Sequence, residues 1–313
     1  MDLEMVLNEL SLRTPVADIS TARQLMTHLI STLHQATRSG VQRVLRTHSD
    51  INYIELAPNY SIVRWRNDPT VDREERSFFR TLTSKAPYCS DVAEEIKNNF
   101  DLSEVSFQGE TAIGLGFALV SDALAVSLLS DSCWDCSRLN LAVTQFDENE
   151  ELINTQELLL HASRSKHIQE HTDWIQNRIR IQVIDGFDLW NRRQELFSNL
   201  EFCENVGKQI QNLYCGNPIL QQVVKRLSEL DSYCQKWITG SFNLENLPCK
   251  ATPESESRLQ QFQRELTFMC PDGKKRIFSL HVRMTGAGAW RLHFSTDIGP
   301  GKIIIGYIGL KIQ

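Results

Sequence analysis

The chain has 313 residues, of which 41% are hydrophobic and 23% charged, and its net charge is −6. A chain of this length is expected to form about two domains and can bury a large core without disulfides. It contains no apolar run of about 18 residues, which argues against a transmembrane helix, and its acidic N-terminus does not resemble a signal peptide, so we expect a cytoplasmic protein with no membrane partner.

The first hundred residues carry alternating strand and helix signals. Residues 3–12 alternate between apolar and polar positions, which predicts an opening strand. Asp18 or Ser20 can cap a helix that Gly40 ends. Short extended segments follow, and the last of them is at 60–65. This segment ends in Arg64-Trp65, the start of an Arg-Trp-Arg run that alternates basic and aromatic side chains.

A second group of elements runs from residue 72 to residue 180. Asp72 can start a helix that buries Phe78, Phe79 and Leu82, and 92–100 predicts another short helix. The most apolar stretch predicts a buried helix followed by a buried strand. The remaining patterns predict a hairpin with an acidic turn and then a helix. In chain order, the elements predicted after residue 100 are 105–109 (strand), 114–119 (helix), 123–129 (strand), 139–146 and 151–161 (hairpin), and 166–180 (helix).

Helical spacing dominates from 187 to 237, where Asn217-Pro218 opens a long helix. A Gly- and Pro-containing stretch at 239–253 then resembles a linker. The predicted class is therefore α+β: an acidic body at 1–238, mixed to about 161 and mainly helical over 166–238, is followed by the linker and a small module at 254–313.

The C-terminal module has a short helix at 254–264, capped by Thr252, and several short strands joined by tight turns. The expected strands are 265–270, 275–284, 290–295 and 302–308. The module is also basic: residues 264–313 contain eight Lys and Arg against three acidic residues, a net charge of +5, which leaves −11 for residues 1–263. This asymmetry predicts an anionic ligand at one end of the protein, or docking of the two oppositely charged parts on each other.

Alternation along the strands places five polar side chains on one predicted sheet face: His281, Arg283, Arg291, His293 and Tyr307. Arginine binds phosphate in a bidentate manner, while histidine and tyrosine can transfer protons. An RNA strand supplies its own nucleophile, the 2′-hydroxyl, so such a face could cleave RNA without a metal or a cofactor.

The order of these strands, with Arg283 on one, Arg291-Leu292-His293-Phe294 on the next and Tyr307 on the last, resembles the C-terminal half of RelE/ParE-type toxins. The resemblance covers about fifty residues. It implies a small α+β domain that acts as a messenger RNA endonuclease, or as a gyrase poison in the ParE branch.

The roles that follow for individual residues are those of a metal-independent ribonuclease. Arg283 and Arg291 would hold phosphate, His281 or His293 would move the proton, and Tyr307 would assist or stack. Three further cations would bind nucleic acid at the rim: Lys274, Lys275 and Arg276. The resulting hypothesis is a toxin or anti-phage defence effector that acts on RNA.

Two other interpretations stay open. In the first, the chain is a non-catalytic interaction subunit of a defence-type complex, in which the acidic body docks a protein partner and the basic tail binds nucleic acid or a second protein. In the second, the cationic side chains bind nothing and only keep one face of the sheet in contact with water.

Two constellations outside the module have weaker chemical signals. Cys133-Trp134-Asp135-Cys136 is a lone Cys-x-x-Cys pair, without the second pair that a zinc site usually has. We therefore expect buried thiols there, as for the other six scattered cysteines. His161, His167 and His171 form a second cluster, in which His167 and His171 lie four residues apart on the predicted helix. Two histidines at that spacing can bind a metal, but Glu170 is at the wrong offset for a His-Glu-x-x-His motif, and we expect a solvated helix face.

Overall fold

The computed structural model describes residues 2–84, 88–89, 103–146, 152–215, 217–284 and 290–313. Three expected features lie outside these residues: the helix at 92–100, the acidic turn at 147–150 and the tight turn at 285–289 between the expected strands 275–284 and 290–295. The chain divides into two compact units, Asp2–Arg180 and Ile181–Gln313. Helices and mixed sheets occur in both units, and the predicted α+β class is confirmed.

The division differs from the predicted one, which ended the first domain at residue 238. The helices between 186 and 236 share one hydrophobic core with the C-terminal strands, because their apolar faces pack against that sheet. Residues 239–253 do not form a linker between units. They contain the 3₁₀ helix Leu244–Asn246 and a strand that joins the C-terminal sheet.

A seven-stranded sheet organises the N-terminal unit, in the order β2-β1-β7-β9-β8-β5-β6, and a separate β3-β4 pair lies apart from it. The strands β1, β2 and β7 are parallel, as is the pairing of β7 with β9, whereas β8 and β9 form a long antiparallel hairpin. The bounds are β1 (Met5–Leu7), β2 (Leu45–Arg46), β3 (Glu55–Ala57), β4 (Tyr60–Ser61), β5 (Ser103–Phe107), β6 (Glu110–Thr111), β7 (Leu124–Val126), β8 (Arg138–Phe146) and β9 (Leu152–Ala162).

Both faces of the parallel strands are buried, as is usual for parallel sheets. Met5 and Leu7 join the core formed with α1, α2 and α3, while Val6 joins the core formed with α4. The helices of this unit are α1 (Ile19–Arg38), α2 (Ile62–Asn67), α3 (Arg73–Thr83), α4 (Ile113–Ser121), α5 (Ser165–Glu170) and α6 (Thr172–Arg180).

Several sequence predictions are confirmed in this unit, and others are wrong. Asp18 caps α1 and Asp72 caps α3, as expected. Only Tyr60–Ser61 of the predicted strand 60–65 forms a strand, because the chain then turns into α2 and buries Trp65 with its ring 5.6 Å from that of Phe79. The predicted helix at 166–180 is interrupted at His171, whose side chain turns inward.

The C-terminal unit is built on a five-stranded sheet in the order β10-β16-β15-β14-β11. Only β10 and β16 are parallel in this sheet, and the β12-β13 hairpin forms a second, two-stranded sheet. The bounds are β10 (Leu200–Phe202), β11 (Ala251–Pro253), β12 (Thr267–Met269), β13 (Lys275–Ile277), β14 (Leu280–Arg283), β15 (Trp290–Ser295) and β16 (Ile303–Leu310).

Helices and strands of this unit share a core that contains Leu220, Leu227, Leu292 and Ile305. Asn217 caps the longest helix of this unit as expected, through its side-chain oxygen, which accepts from the Ile219 N–H. The helices are α7 (Gly186–Leu196), α8 (Glu204–Gln211), α9 (Pro218–Lys236) and α10 (Glu256–Gln261). Among the described residues, none of the helices in either unit has the length and apolar character needed to cross a bilayer.

The predicted strand 275–284 is divided into β13 and β14 at Phe278 and Ser279. The Phe278 N–H donates to the Leu266 carbonyl, and the Ser279 carbonyl accepts from the Glu254 N–H at 2.7 Å. At these two residues the chain leaves the β12-β13 hairpin and enters the five-stranded sheet. The helix at 254–264 is also shorter than expected, because Ser255 and not Thr252 caps it.

Candidate functional site

Four neighbouring strands of the C-terminal sheet place one row of polar side chains side by side. Thr252 on β11 pairs with His281 on β14, His281 pairs with His293 on β15, and His293 pairs with Tyr307 on β16. The imidazole centroids are 5.3 Å apart, and the His293 and Tyr307 ring centroids are 5.8 Å apart. The structure therefore brings together the two histidines and the tyrosine that the sequence placed on one face.

The two predicted phosphate-binding arginines form the next row on the same face. Arg283 on β14 pairs with Arg291 on β15, and Arg291 pairs with Gly309 on β16. Arg283 is partly exposed, whereas Arg291 is only 5% exposed and donates to the Trp290 carbonyl. The pairing is as expected, but Arg291 is not open to a phosphate at the surface.

Burial also separates the histidines from any macromolecular substrate. His281 is 0% and His293 1% exposed. Burial, followed by the charges of His281 and Arg291, lowers the pKa of His293 to about 3, so its imidazole is neutral near pH 7. The catalytic roles expected for His281, His293 and Arg291 on RNA do not fit this geometry, because a general acid or base must reach the proton that it transfers.

A residue that the sequence analysis did not select completes the buried cluster. The Glu254 side chain is 3% exposed, and its Oε1 lies 3.4 Å from His281 Nδ1 and 4.0 Å from His293 Nε2. The sequence pattern predicts that Glu254 begins a helix. Its spacing of two residues from Thr252 was the available signal, since alternate residues of a strand face the same side.

Hydrogen bonds fix the outer atoms of this Glu254–His281–His293 cluster. His293 Nδ1 donates to the Phe278 carbonyl at 3.2 Å, and His281 Nε2 lies 3.1 Å from Thr252 Oγ1. Arg258 Nε donates to Glu254 Oε2 at 2.7 Å. Glu254 Oε1, His281 Nδ1 and His293 Nε2 consequently converge, and these three ligand atoms all lie within 4.8 Å of one another.

Tyr307 is held as a packing residue. Its hydroxyl donates to the Leu310 carbonyl at 2.7 Å, and its ring stacks on Phe268 with centroids 6.0 Å apart. Burial raises the pKa of the Tyr307 phenol. Of the two roles that the sequence predicts for Tyr307, assistance in proton transfer and stacking, this geometry favours stacking.

The predicted rim cations lie on the β12-β13 hairpin and its turn. Lys274 and Lys275 are exposed. Arg276 is engaged by Asp272 through two hydrogen bonds of 2.7 and 2.6 Å. This ion pair raises the pKa of Arg276, and it leaves the two lysines as the better-placed contacts for an external anion.

An open groove of about 500 Å³ lies beside this hairpin. Its polar lining comes from α10, the segment after it and the hairpin. Arg264 and Lys275 supply positive charge, and both are exposed. The lining residues are Gln260, Gln261, Gln263, Arg264, Glu265, Thr267 and Lys275.

The expectation of a solvated histidine face in the N-terminal unit is wrong. His161, His167 and His171 are all at most 2% exposed. The N–H at His161 Nδ1 donates to the Cys136 carbonyl at 2.8 Å, and His161 Nε2 accepts from the Ser127 hydroxyl at 2.7 Å. Because Ser127 in turn accepts from Asn8 at 3.0 Å, this network ties together the carboxyl ends of β1, β7 and β9.

The Cys-x-x-Cys pair lies near this network without the character of a redox site. Burial, followed by Asp131, raises the pKa of the Cys133 thiol to about 11. Burial also raises the pKa of Cys136. Reactive cysteines require the opposite shift, because the thiolate is the nucleophile and the metal ligand.

No family model, curated protein or solved structure matches this chain. The resemblance to RelE/ParE-type toxins therefore stays a prediction.

Proposed function

We propose that the C-terminal unit binds single-stranded RNA, without cleaving it, in the groove formed by α10 and the β12-β13 hairpin. The observation that carries the proposal is the placement of Arg264 and Lys275 in one open groove with three glutamines. Cationic side chains contact the phosphate backbone, whereas amide side chains can hydrogen-bond to exposed base edges.

Charge supports the same assignment at the level of the unit. Residues 181–313 contain 16 basic and 13 acidic residues, whereas residues 1–180 contain 17 basic and 26 acidic residues. A polyanion such as RNA is attracted by the net positive charge of residues 181–313 and repelled by the net negative charge of residues 1–180. The C-terminal unit is thus the better platform for RNA.

Binding is proposed in place of cleavage because of where the proton-transfer groups lie. The groove offers Arg264, Lys275, Thr267 and amides, which are not general bases near neutral pH, and a single carboxylate, Glu265. The imidazoles of His281 and His293 are buried on the sheet face. RNA held in the groove would meet positive charge, hydrogen-bonding groups and one carboxylate, but among the lining residues there is no histidine or tyrosine to complete an acid–base pair.

The wider role is proposed on the resemblance alone. A toxin or an anti-phage defence effector that acts on RNA in the cytoplasm would need a catalytic step from this chain or from a partner. A protein partner docked on the acidic N-terminal unit is part of that proposal, and the binding function above would then deliver RNA to a complex.

Fluorescence anisotropy with a labelled, unstructured RNA tests the binding proposal. The double variant Arg264→Glu/Lys275→Glu should weaken binding at least tenfold at low salt. Lys208→Glu is the matched control, since Lys208 is exposed on α8, which lies along β16. Equal affinities for the wild type and the groove variant would refute the groove, and shortened RNA in the wild-type reaction would refute binding without cleavage.

A further inference from the structure

We infer that Glu254, His281 and His293 form a structural site for one divalent first-row transition metal ion. Zinc serves as the test ion of this class. The inference is independent of the proposed RNA binding, because the cluster is buried and the groove is open. It also goes beyond the sequence analysis, which expected no metal in this chain.

The separations between the Glu254 carboxylate and the two imidazoles are close to those expected for coordination to one ion. Ligands about 2.1 Å from zinc at tetrahedral angles lie about 3.4 Å from one another. Glu254 Oε1 and His281 Nδ1 are 3.4 Å apart, and Glu254 Oε1 and His293 Nε2 are 4.0 Å apart. The second separation is wider and requires only a small side-chain adjustment.

The orientation of each ligand is set by a partner on its far side, as in known metal centres. The Phe278 carbonyl can only accept, so it takes the hydrogen of His293 Nδ1 and directs Nε2 towards Glu254. Thr252 Oγ1 contacts His281 Nε2, and Arg258 engages Glu254 Oε2. These contacts direct His281 Nδ1 and Glu254 Oε1 into the same space.

The backbone beneath the ligands is well anchored. His281 and His293 occupy directly paired positions on β14 and β15. Glu254 follows β11, and its N–H donates to the Ser279 carbonyl at 2.7 Å. A bound ion would join the start of the α10 segment to the two central strands, so its role is to hold that segment over the sheet.

The donor set selects the class of ion. Two imidazoles with one carboxylate suit zinc, iron, nickel or copper, whereas magnesium and calcium prefer all-oxygen sites. A water molecule would complete a tetrahedral site in which the protein supplies three ligands. Because the ligand side chains are at most 3% exposed, the ion would stabilise the fold and would not meet a large substrate.

Metal analysis of the full chain, purified without a histidine tag, tests this inference. The wild type is stripped with chelator, titrated with Zn²⁺, and measured by elemental mass spectrometry after gel filtration. We expect one zinc per chain. The variants Glu254→Gln and His293→Ala should lose this zinc, whereas Cys133→Ser/Cys136→Ser and the exposed-residue variant His28→Ala should retain it.

Two further measurements keep the test decisive if a site variant fails to fold. Thr252→Val removes only the hydroxyl next to His281 and should weaken zinc binding about 10-fold or more. Wild-type protein loaded with Co²⁺ should show visible d–d bands without a thiolate charge-transfer band. Less than stoichiometric zinc in the wild type, or a thiolate band with cobalt, would overturn the inference.

Discussion

His281 on β14 lies directly opposite His293 on β15, with ring centroids 5.3 Å apart and both side chains fully enclosed. Two adjacent histidines on a sheet face can serve a nuclease only if RNA can reach that face. Here the residues that close it, such as Glu254 and Phe268, also supply its hydrogen-bonding and stacking partners. The pair therefore belongs to the interior of the C-terminal unit, and we propose that RNA is bound instead in the groove beside the β12-β13 hairpin.

Gly306→Ala tests the packing of the segment that covers this face. A Cβ at Gly306 would lie 2.5–2.7 Å from three ring atoms of Phe278, which is fully buried. Because the ring has no room to move, we expect the free energy of unfolding to fall by about 1–3 kcal/mol. Urea denaturation measures the change. In a Phe278→Leu background the same substitution should cost clearly less, and an equal cost in both backgrounds would contradict the contact.

The buried His161 predicts an acid-sensitive N-terminal unit. Burial lowers its pKa to about 4 from the ordinary 6.5, so below pH 6.5 the unfolded chain binds a proton that the folded chain does not. Stability should be fully present above pH 6.5 and should decline towards pH 4, at a rate of at most about 1.4 kcal/mol per pH unit from this residue.

Urea unfolding at several pH values measures that decline. The variant His161→Gln should show a shallower dependence of unfolding free energy on pH than the wild type. His28→Gln is the control, because His28 is exposed. The account of His161 fails if the wild type and His161→Gln have the same slope between pH 6.5 and 4.

The cap of α9 gives a prediction about local stability. The Asn217 side chain accepts the Ile219 N–H at 2.9 Å at the start of this 19-residue helix. Asn217→Ala leaves that donor without its partner and should destabilise the protein by about 1 kcal/mol, whereas Asn217→Ser keeps a capping oxygen and should be close to neutral. Thermal unfolding of the two variants provides the comparison, and equal effects would argue against a capping role.

Local signals allowed much of the fold to be predicted from the sequence. Asp18, Asp72 and Asn217 mark helix starts because a short polar side chain can satisfy backbone N–H groups there. The period-2 pattern at 290–295 gave the bounds of β15, and the row containing His281, His293 and Tyr307 followed from alternation.

Long-range packing accounts for what the sequence did not reveal. Alternation shows which residues share a sheet face, but it does not show what covers that face, so the burial of His281 and His293 was missed. The break at Phe278 depends on hydrogen bonds to Leu266 and His293, residues that lie 12 and 15 positions away. Glu254 was missed for the same reason, since its partners are on strands distant in sequence.

The salt dependence of RNA binding tests the central claim of recognition by the groove most directly. For single-stranded RNA, the slope of log Kobs against log salt falls by about 0.7 for each phosphate contact that is lost. We predict that Arg264→Glu/Lys275→Glu reduces the slope by about 1.4 relative to wild type, that Lys208→Glu leaves it unchanged, and that the RNA stays full-length throughout. An unchanged slope in the groove variant, or cleaved RNA with the wild type, would contradict the account.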